Sequence, residues 1–197
     1  MNGELLELLD AAVRRDPAAP ALLAPGRPPP DYGSPRDQVD LAAAGLRAGG
    51  LGPGSRIATV LRNGPEAAAT AFAVAATATC VPLNPAYGEA EFRFYLEDSR
   101  ADALLIAAGE EGAATAVAEA LGLPVFTIAI DPARPAGRAR LEARAPASGA
   151  RPVGDAGGAA PDATRPADDV ALILHTSGTT ARPKIVPLSQ ANLAASA

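Results

Sequence analysis

Apolar side chains recur at helical spacing in the first part of the chain. Leu5 and Leu9 fall on the same face of a first predicted helix, and the charged side chains lie largely on the opposite face. A second helix is predicted from Ser34 or Pro35 to Ala48, because a serine cap and a proline open it and two glycines follow it. The residues between these helices are rich in proline, alanine and glycine, which is typical of a connection with several turns.

From residue 56 onward, short β-rich runs alternate with helical stretches. The predicted strands are Arg56–Leu61, Thr79–Leu83, Ala103–Ala107 and Pro124–Ile130, and the predicted helices are an Ala-rich stretch to about Thr77, Glu89–Asp98 and a segment near Glu111–Leu121. Strands that alternate with helices form βαβ units, in which the strands run parallel. The pattern therefore predicts an α/β fold with a mostly parallel sheet that is covered by helices on both faces.

This alternation stops between Asp131 and Asp169, where most residues are Ala, Pro, Gly or Arg. Because a structureless loop of this length is uncommon inside a compact domain, we expect a mobile surface linker here, with no binding site. The apolar run DVALIL then predicts a buried strand. We therefore expect an N-terminal α/β subdomain over 1–130, a linker over 131–169, and a strand, a loop and the start of a helix over 170–197.

The composition argues against several classes of function. The 197 residues carry a formal net charge of −5 and few aromatic side chains, which argues against a protein that binds nucleic acid. One cysteine and one histidine cannot form a Cys/His zinc site, and no metal site is predicted. No stretch has the length and apolar content of a membrane helix, and the lone cysteine fits a reducing compartment. We expect a cytoplasmic protein that binds neither nucleic acid nor membranes.

The segment HTSGTTARPKIVPL, which begins as the last predicted strand ends, carries the candidate chemistry of the chain. Its hydroxyl-bearing residues and the glycine among them are Thr176, Ser177, Gly178, Thr179 and Thr180. Glycine allows successive backbone N–H groups to point the same way, and such a nest binds anions. Hydroxyl groups can donate to phosphate oxygens, and Lys184 can place a cation against them. Phosphate loops of α/β folds leave the carboxyl end of a strand, as this segment does.

A run of Ser, Thr and Gly after a strand is also typical of a simple turn with local hydroxyl-to-backbone bonds, so the pattern alone leaves both interpretations open. The basic residues favour phosphate binding, because all 17 except Lys184 are arginine and this lysine follows the hydroxyl-rich loop. The neighbouring His175 is interpreted as a packed or partner-bonded side chain. Cys80 lies in an apolar run and is interpreted as a buried small residue.

The sequence TSGTTARPKIVPLSQANL resembles the phosphate-binding signature of the adenylate-forming (AMP-binding) synthetases and ligases, T-S-G-T-T-G-x-P-K-G-V. The segment from GGLGPGSRIATVL to RADALLI is also similar to the part that precedes this signature in acyl-CoA synthetases. The resemblance implies an acid–CoA ligase that uses ATP and Mg²⁺, in which a small carboxylic acid attacks the α-phosphate and coenzyme A then takes the acyl group. It implies phosphate contacts by Thr176, Ser177, Gly178, Thr179, Thr180 and Lys184, and it assigns no catalytic residue.

Two residues and the length depart from the family pattern. Ala181 and Ile185 stand where glycine is usual, and the form HTSGTT-x-RPK-x-VPL is similar to the oxalate–CoA ligase branch. Members of the family are much longer than this chain. We therefore expect an incomplete, N-terminal portion of an AMP-binding synthetase domain, whose last helix and last strand edge lack packing partners and which does not catalyse ligation alone.

Two other interpretations stay open. The chain can be a non-catalytic remnant or split nucleotide-binding module that completes a complementary C-terminal chain. It can also be an α/β domain in which the Ser/Thr run is only a turn.

Overall fold

The computed structural model of the protein describes residues 4–29, 33–131, 133–143, 165–176 and 183–197. Within these ranges the helices are α1 (Glu4–Arg15), α2 (Gly33–Ala48), α3 (Pro65–Thr77), α4 (Glu89–Asp98), α5 (Ala113–Ala120) and α6 (Gln190–Ala195). The strands are β1 (Arg56–Val60), β2 (Thr79–Pro82), β3 (Ala103–Ala107), β4 (Val125–Ile130), β5 (Ala139–Ala143), β6 (Val170–Thr176) and β7 (Lys184–Ser189). The strands and helices predicted between residues 56 and 130 are confirmed, with small shifts in their bounds.

The seven described strands form one sheet in the order β5-β4-β3-β1-β2-β6-β7. Strand β1 pairs in parallel with β2 and β3, and the parallel pairing continues from β3 to β4 and from β2 to β6. At the two edges, β5 and β7 run antiparallel to β4 and β6. The prediction of an α/β fold with a mostly parallel sheet is confirmed, and the two antiparallel edges are features that the sequence pattern did not predict.

Side chains of the central strands are buried alternately on the two faces of the sheet. In β3, Leu105 belongs to a cluster that also contains Leu46 of α2 and Val74 of α3, and this cluster defines the α3 face. The adjacent Leu104 belongs to a second cluster, which contains Phe92 of α4 and residues of α5 and defines the α4 face. Because a parallel sheet buries both of its faces, it needs helices on both, and that prediction is also confirmed.

Strand β5 lies inside the stretch that was expected to be a linker. Its residues, Ala139–Ala143, pair antiparallel with β4, and Leu141 packs against the α3-face cluster. These residues therefore form an edge strand and not a linker. Their Arg- and Ala-rich composition did not indicate a strand, because Leu141 is the only large apolar residue among them. Residues 144–164 lie outside the described residues, so the linker there, like the division into subdomains, stays a prediction.

A buried arginine, Arg165, joins the end of α3 to the start of β6. Its side chain donates to the carbonyls of Ala75 at 2.8 Å, Ala78 at 2.6 Å and Val170 at 2.9 Å, and it pairs with Asp169 at 3.1 Å. The last carbonyls of a helix lack partners within the helix, and a cation near that end is also favoured by the helix dipole. Burial lowers the pKa of Arg165, an effect opposed by Asp169.

Strand β6 contains a bulge near its start. Between Val170 and Leu172, β6 advances by two residues while its partner β7 advances by one, so Ala171 is an extra residue in β6. The bulge interrupts the alternation of the side chains, because the adjacent Ala171 and Leu172 both pack on the α3-face cluster, whereas Val170 before them and Ile173 after them contact the α4-face cluster. From Ile173 onward the strand alternates regularly toward its carboxyl end.

Helix α6 begins at Gln190, with Ser189 as its cap. The expectation that this helix lacks packing partners is wrong, because Gln190 is completely buried. The Gln190 amide donates to the carbonyl of Ala75 at 2.7 Å and accepts from the backbone N–H of Leu5 at 3.4 Å, which ties α6 to α3 and α1. No helix in the described part of the chain is both long enough and apolar enough to cross a membrane.

Replacement of Arg165 by methionine is expected to lower the free energy of unfolding by about 3 kcal/mol, because it removes three hydrogen bonds to backbone carbonyls and the ion pair with Asp169, and methionine has no donor to replace them. Arg165→Lys should lose less, since lysine keeps the charge but has fewer donors. Urea unfolding followed by circular dichroism measures both changes. The matched control is Arg93→Met on the exposed side of α4, which should change stability by less than about 0.5 kcal/mol. A loss below about 1 kcal/mol for Arg165→Met would show that this arginine does not hold α3 to β6.

Candidate functional site

The antiparallel pair β6–β7 brings two of the predicted phosphate contacts together. Thr176 at the end of β6 lies opposite Lys184 at the start of β7, and both residues are exposed. Directly opposed residues of an antiparallel pair project from the same face of the sheet. The other predicted contacts, Ser177, Gly178, Thr179 and Thr180, lie outside the described residues.

The bulge in β6 decides which face these two side chains share. Ile173 packs on the α4 face, and His175 contacts Tyr95 of α4, so the odd-numbered positions after the bulge point to that face. Because strand side chains alternate, Thr176 and its partner Lys184 project from the α3 face, at the carboxyl end of β6.

A cleft of about 880 Å³ opens on the α3 face at the carboxyl ends of β1 and β2. It is lined by Thr59, Leu61, Arg62, Asn63, Gly64, Ala67, Ala68, Ala71, Pro82, Leu83, Asn84 and Pro85. The loop after β1 enters α3 on one face of the sheet, and the loop after β2 enters α4 on the other. In open α/β sheets, ligands bind where successive connections diverge in this way. Since β6 is the neighbour of β2, Thr176 leaves the sheet beside this cleft.

Three polar residues in the loops that line the cleft were missed at the level of sequence. Arg62 and Asn63 lie in the loop after β1, and Asn84 lies in the loop after β2, so their positions after buried strands were the available signal. The Asn84 side chain accepts from the backbone N–H of Ala86 at 2.9 Å and so shapes its loop. The Arg62 side chain is largely exposed and forms an ion pair of 2.6 Å with Glu110, which follows β3.

His175 is packed against α4, as its sequence interpretation predicted. Its side chain is only 5% exposed, and its Nε2 atom lies 3.3 Å from the Asp98 carboxylate. The ring of Tyr95 meets the imidazole edge to face, with 4.7 Å between the ring centroids. His175 therefore borders the candidate phosphate contacts from the opposite face of the sheet.

The interpretation of Cys80 as a buried residue is also confirmed. The side chain is completely buried in β2, and its Sγ atom lies 3.7 Å from the hydroxyl of Thr59, which lines the cleft. Burial raises the pKa of the Cys80 thiol to about 12, because the thiolate would lose its hydration; the Thr59 hydroxyl opposes this shift. The thiol is therefore protonated at neutral pH and is not a nucleophile of the site.

Comparison with known protein families identifies the chain. The family model described as "AMP-binding enzyme" matches residues 9–197. The chain belongs to the AMP-binding enzyme family.

Two relatives of this chain are CoA ligases by name. The chain is 36% identical over 194 residues to the oxalate–CoA ligase of Arabidopsis thaliana. This alignment covers 96% of this chain and 35% of the relative. The chain is 39% identical over 159 residues to the probable CoA ligase CCL9 of Humulus lupulus. This alignment covers 80% of this chain and 29% of the relative. The structure of ATP-bound MatB from Rhodopseudomonas palustris superposes over 100% of this chain and 36% of that protein, with a TM-score of 0.75 and 29% identity. This chain thus spans about a third of the length of these proteins.

One departure from the AMP-binding signature has a structural explanation. Ile185, which stands where glycine is usual, lies in β7 opposite His175. This position is extended, and Arg100 is the one non-glycine residue with a positive φ among the described ranges. A β-branched side chain suits an extended strand, so the position does not require glycine. The other departure, Ala181, lies outside the described residues.

The Cys80 thiol is expected to react with Ellman's reagent at pH 8 at least about 100-fold more slowly in the folded protein than in the urea-unfolded chain, because burial suppresses the thiolate. The pKa of this thiol is about 12 in the folded protein and 9.0 in the unfolded chain. Its ionisation therefore leaves the free energy of unfolding unchanged below pH 9 and lowers it as the pH rises from 9 toward about 12. Cys80→Ser serves as the unlabelled control. Rapid labelling of the folded chain would contradict the burial of this thiol.

Proposed function

We propose that this chain supplies the ATP-phosphate-binding part of an ATP-dependent, AMP-forming acid–CoA ligase. The phosphate contacts in this proposal are Thr176, Ser177, Gly178, Thr179, Thr180 and Lys184. The observation that supports it most is the pairing of Thr176 with Lys184, which puts a hydroxyl and a cation on one face of the sheet beside the 880 Å³ cleft. The volume of the cleft lies within the range of small-molecule sites.

The proposed role of these residues is to bind and neutralise the phosphate chain of ATP. In the reaction, a carboxylate oxygen attacks the α-phosphorus, and the bond from that phosphorus to the bridging oxygen breaks, so that an acyl-adenylate forms and pyrophosphate leaves. The thiol of coenzyme A then displaces AMP from the acyl carbon. Hydroxyl and backbone N–H donors with one lysine stabilise the charge on the phosphates without transferring a proton.

Magnesium enters the proposal as the complex of Mg²⁺ with ATP. Within the described ranges there is no group of three His, Cys, Asp or Glu side chains placed to hold a metal ion. Mg²⁺ in nucleotide sites is bound largely by phosphate oxygens and water, with few protein ligands. The Ser and Thr hydroxyls of the loop fit a phosphate-bound ion, since they are neutral oxygen ligands. When bound, the ion would withdraw charge from the phosphates and make the α-phosphorus more electrophilic.

The proposal for the chain by itself is nucleotide binding without ligation. The relatives are about three times as long, and a ligase site needs its groups fixed together around both substrates. The second candidate is a non-catalytic remnant or split nucleotide-binding module that completes a complementary chain. We place either form in the cytoplasm, because the one cysteine of the sequence forms no disulfide.

Lys184→Ala is expected to weaken the binding of Mg·ATP to this chain at least about tenfold, because a hydrogen bond between charged groups contributes more than a neutral one. Lys184→Arg keeps the charge and should lose less. Isothermal titration calorimetry measures the affinities. Arg15→Ala, at an exposed position at the end of α1, is the control for loss of one positive charge elsewhere. Equal affinities for the unmutated chain and Lys184→Ala would refute the phosphate role of this lysine.

The unmutated 197-residue chain is expected to release no pyrophosphate from Mg·ATP when it is supplied with oxalate and coenzyme A. A coupled pyrophosphate assay at micromolar protein gives the rate, with a buffer blank as the baseline. A rate above the blank would overturn the proposal that the isolated chain does not catalyse ligation. The DNA beyond codon 197 separates the two candidates, because a continuing ligase reading frame supports the first and a stop without one supports the second.

A further inference from the structure

Aromatic rings concentrate beside the candidate site in a chain that has few of them. The sequence contains four Phe, three Tyr, one His and no Trp. Five of these rings form one connected cluster, which is made of Tyr87, Phe92, Phe94, Tyr95 and His175. The other rings of the described residues, Phe72 and Phe126, pack on the α3-face cluster. The cluster therefore calls for an explanation beyond general packing.

The cluster connects the loop after β2 to the end of β6. Tyr87, in the loop after β2, stacks on Tyr95 of α4 with 4.9 Å between the centroids. Tyr95 in turn contacts His175, the residue before Thr176. A hydrogen bond with Tyr87 raises the pKa of Tyr95, which is consistent with a close pair of hydroxyls. The rings thus form a continuous path from the loop after β2, here called the cleft loop, to the end of β6.

Packing alone does not explain a histidine at position 175. Its Nε2–H is placed to donate to Asp98 at 3.3 Å, but its buried Nδ1 has no hydrogen-bond partner among the described residues. A buried polar atom without a partner costs stability, and an apolar side chain would avoid that cost. Asp98 itself is partly exposed, at 37%. What the imidazole adds over an apolar side chain is a directional hydrogen bond from the carboxyl end of β6 to α4.

We propose that His175 is a positioning residue of the candidate phosphate site, held by Asp98 and Tyr95 so that the end of β6 keeps Thr176 opposite Lys184. This inference rests on the proposed function, since it names the residue that orients the phosphate contacts. His175 lies on the α4 face and Thr176 on the α3 face, so the imidazole acts through the backbone and not by touching phosphate. The ring contact of Tyr95 extends the same constraint to the cleft loop.

Two variants separate the effect of the His175–Asp98 hydrogen bond from that of the ring contact with Tyr95. His175→Phe keeps a ring against Tyr95 and removes the bond to Asp98, whereas Asp98→Ala removes the carboxylate and leaves the imidazole. Each is expected to weaken Mg·ATP binding three- to tenfold, and the double variant should be no weaker than either one, because both remove the same contact. Asp98→Asn retains an acceptor and should restore most of the affinity. Glu97→Ala, the adjacent exposed carboxylate on α4, is the matched control and should bind ATP like the unmutated chain.

Amide hydrogen exchange supplies a readout that does not depend on nucleotide. In the free protein, His175→Phe and Asp98→Ala should speed exchange at Thr176 and Lys184 at least threefold and leave Leu104 and Leu105 in β3 unchanged. A general loss of stability would instead raise exchange in β3 as well. If His175→Phe does not fold, Asp98→Ala at its exposed position gives the same test.

The outcomes separate the inference from the proposed function. Unchanged exchange at Thr176 and Lys184 in both variants, or changes that Glu97→Ala reproduces, would overturn the positioning role. Additive losses of ATP affinity in the double variant would also count against it, since they would show that the two residues act independently. If the unmutated chain binds no Mg·ATP, the proposed function fails, and faster exchange at the two positions would still establish that His175 orients the end of β6.

Discussion

The central parallel strands bury side chains on both of their faces, and the arrangement of the helices follows from this requirement. Leu104 and Leu105 are adjacent in β3, point in opposite directions and are both completely buried. Helices α1, α2 and α3 cover one face, and α4 and α5 cover the other. The abundant alanine suits this arrangement, because small side chains such as Ala69, Ala73 and Ala76 on α3 let helices and sheet approach closely. The same covering leaves the carboxyl ends of the strands accessible for a cleft.

The two ends of β6 differ in how the chain satisfies its polar groups. At the amino end, Arg165 and Gln190 both donate to the carbonyl of Ala75, so buried hydrogen bonds tie the strand to α3 and α6. At the carboxyl end, Thr176 and Lys184 are exposed, and the adjacent restraint is a side-chain contact with α4. One end of the strand is thus anchored inside the protein, and the other has its polar groups at the surface.

The sequence predicted the elements whose cause is local. Strands β1 to β4 and the helices between them follow from apolar runs and helical periodicity, and the family signature identified Thr176 and Lys184 as candidates. Strand β5 escaped prediction, because its stability comes from pairing with β4 and from one leucine, neither of which is a local pattern. Arg165 was also missed, since nothing in the sequence distinguishes one buried arginine from the other fifteen. The cleft required the strand order, which brings together loops that are twenty residues apart in the chain.

Ala171 is the extra residue of the bulge, and its side chain packs on the same face of the sheet as that of the adjacent Leu172. Val170 before the bulge and Ile173 after it both contact the α4-face cluster. Removal of Ala171 alone would therefore leave a regularly alternating strand in which the threonine and the histidine keep their faces, whereas removal of one further residue would exchange the two faces. The bulge thus lets this strand lose one residue before the signature without turning its side chains over, which a regularly alternating strand cannot do.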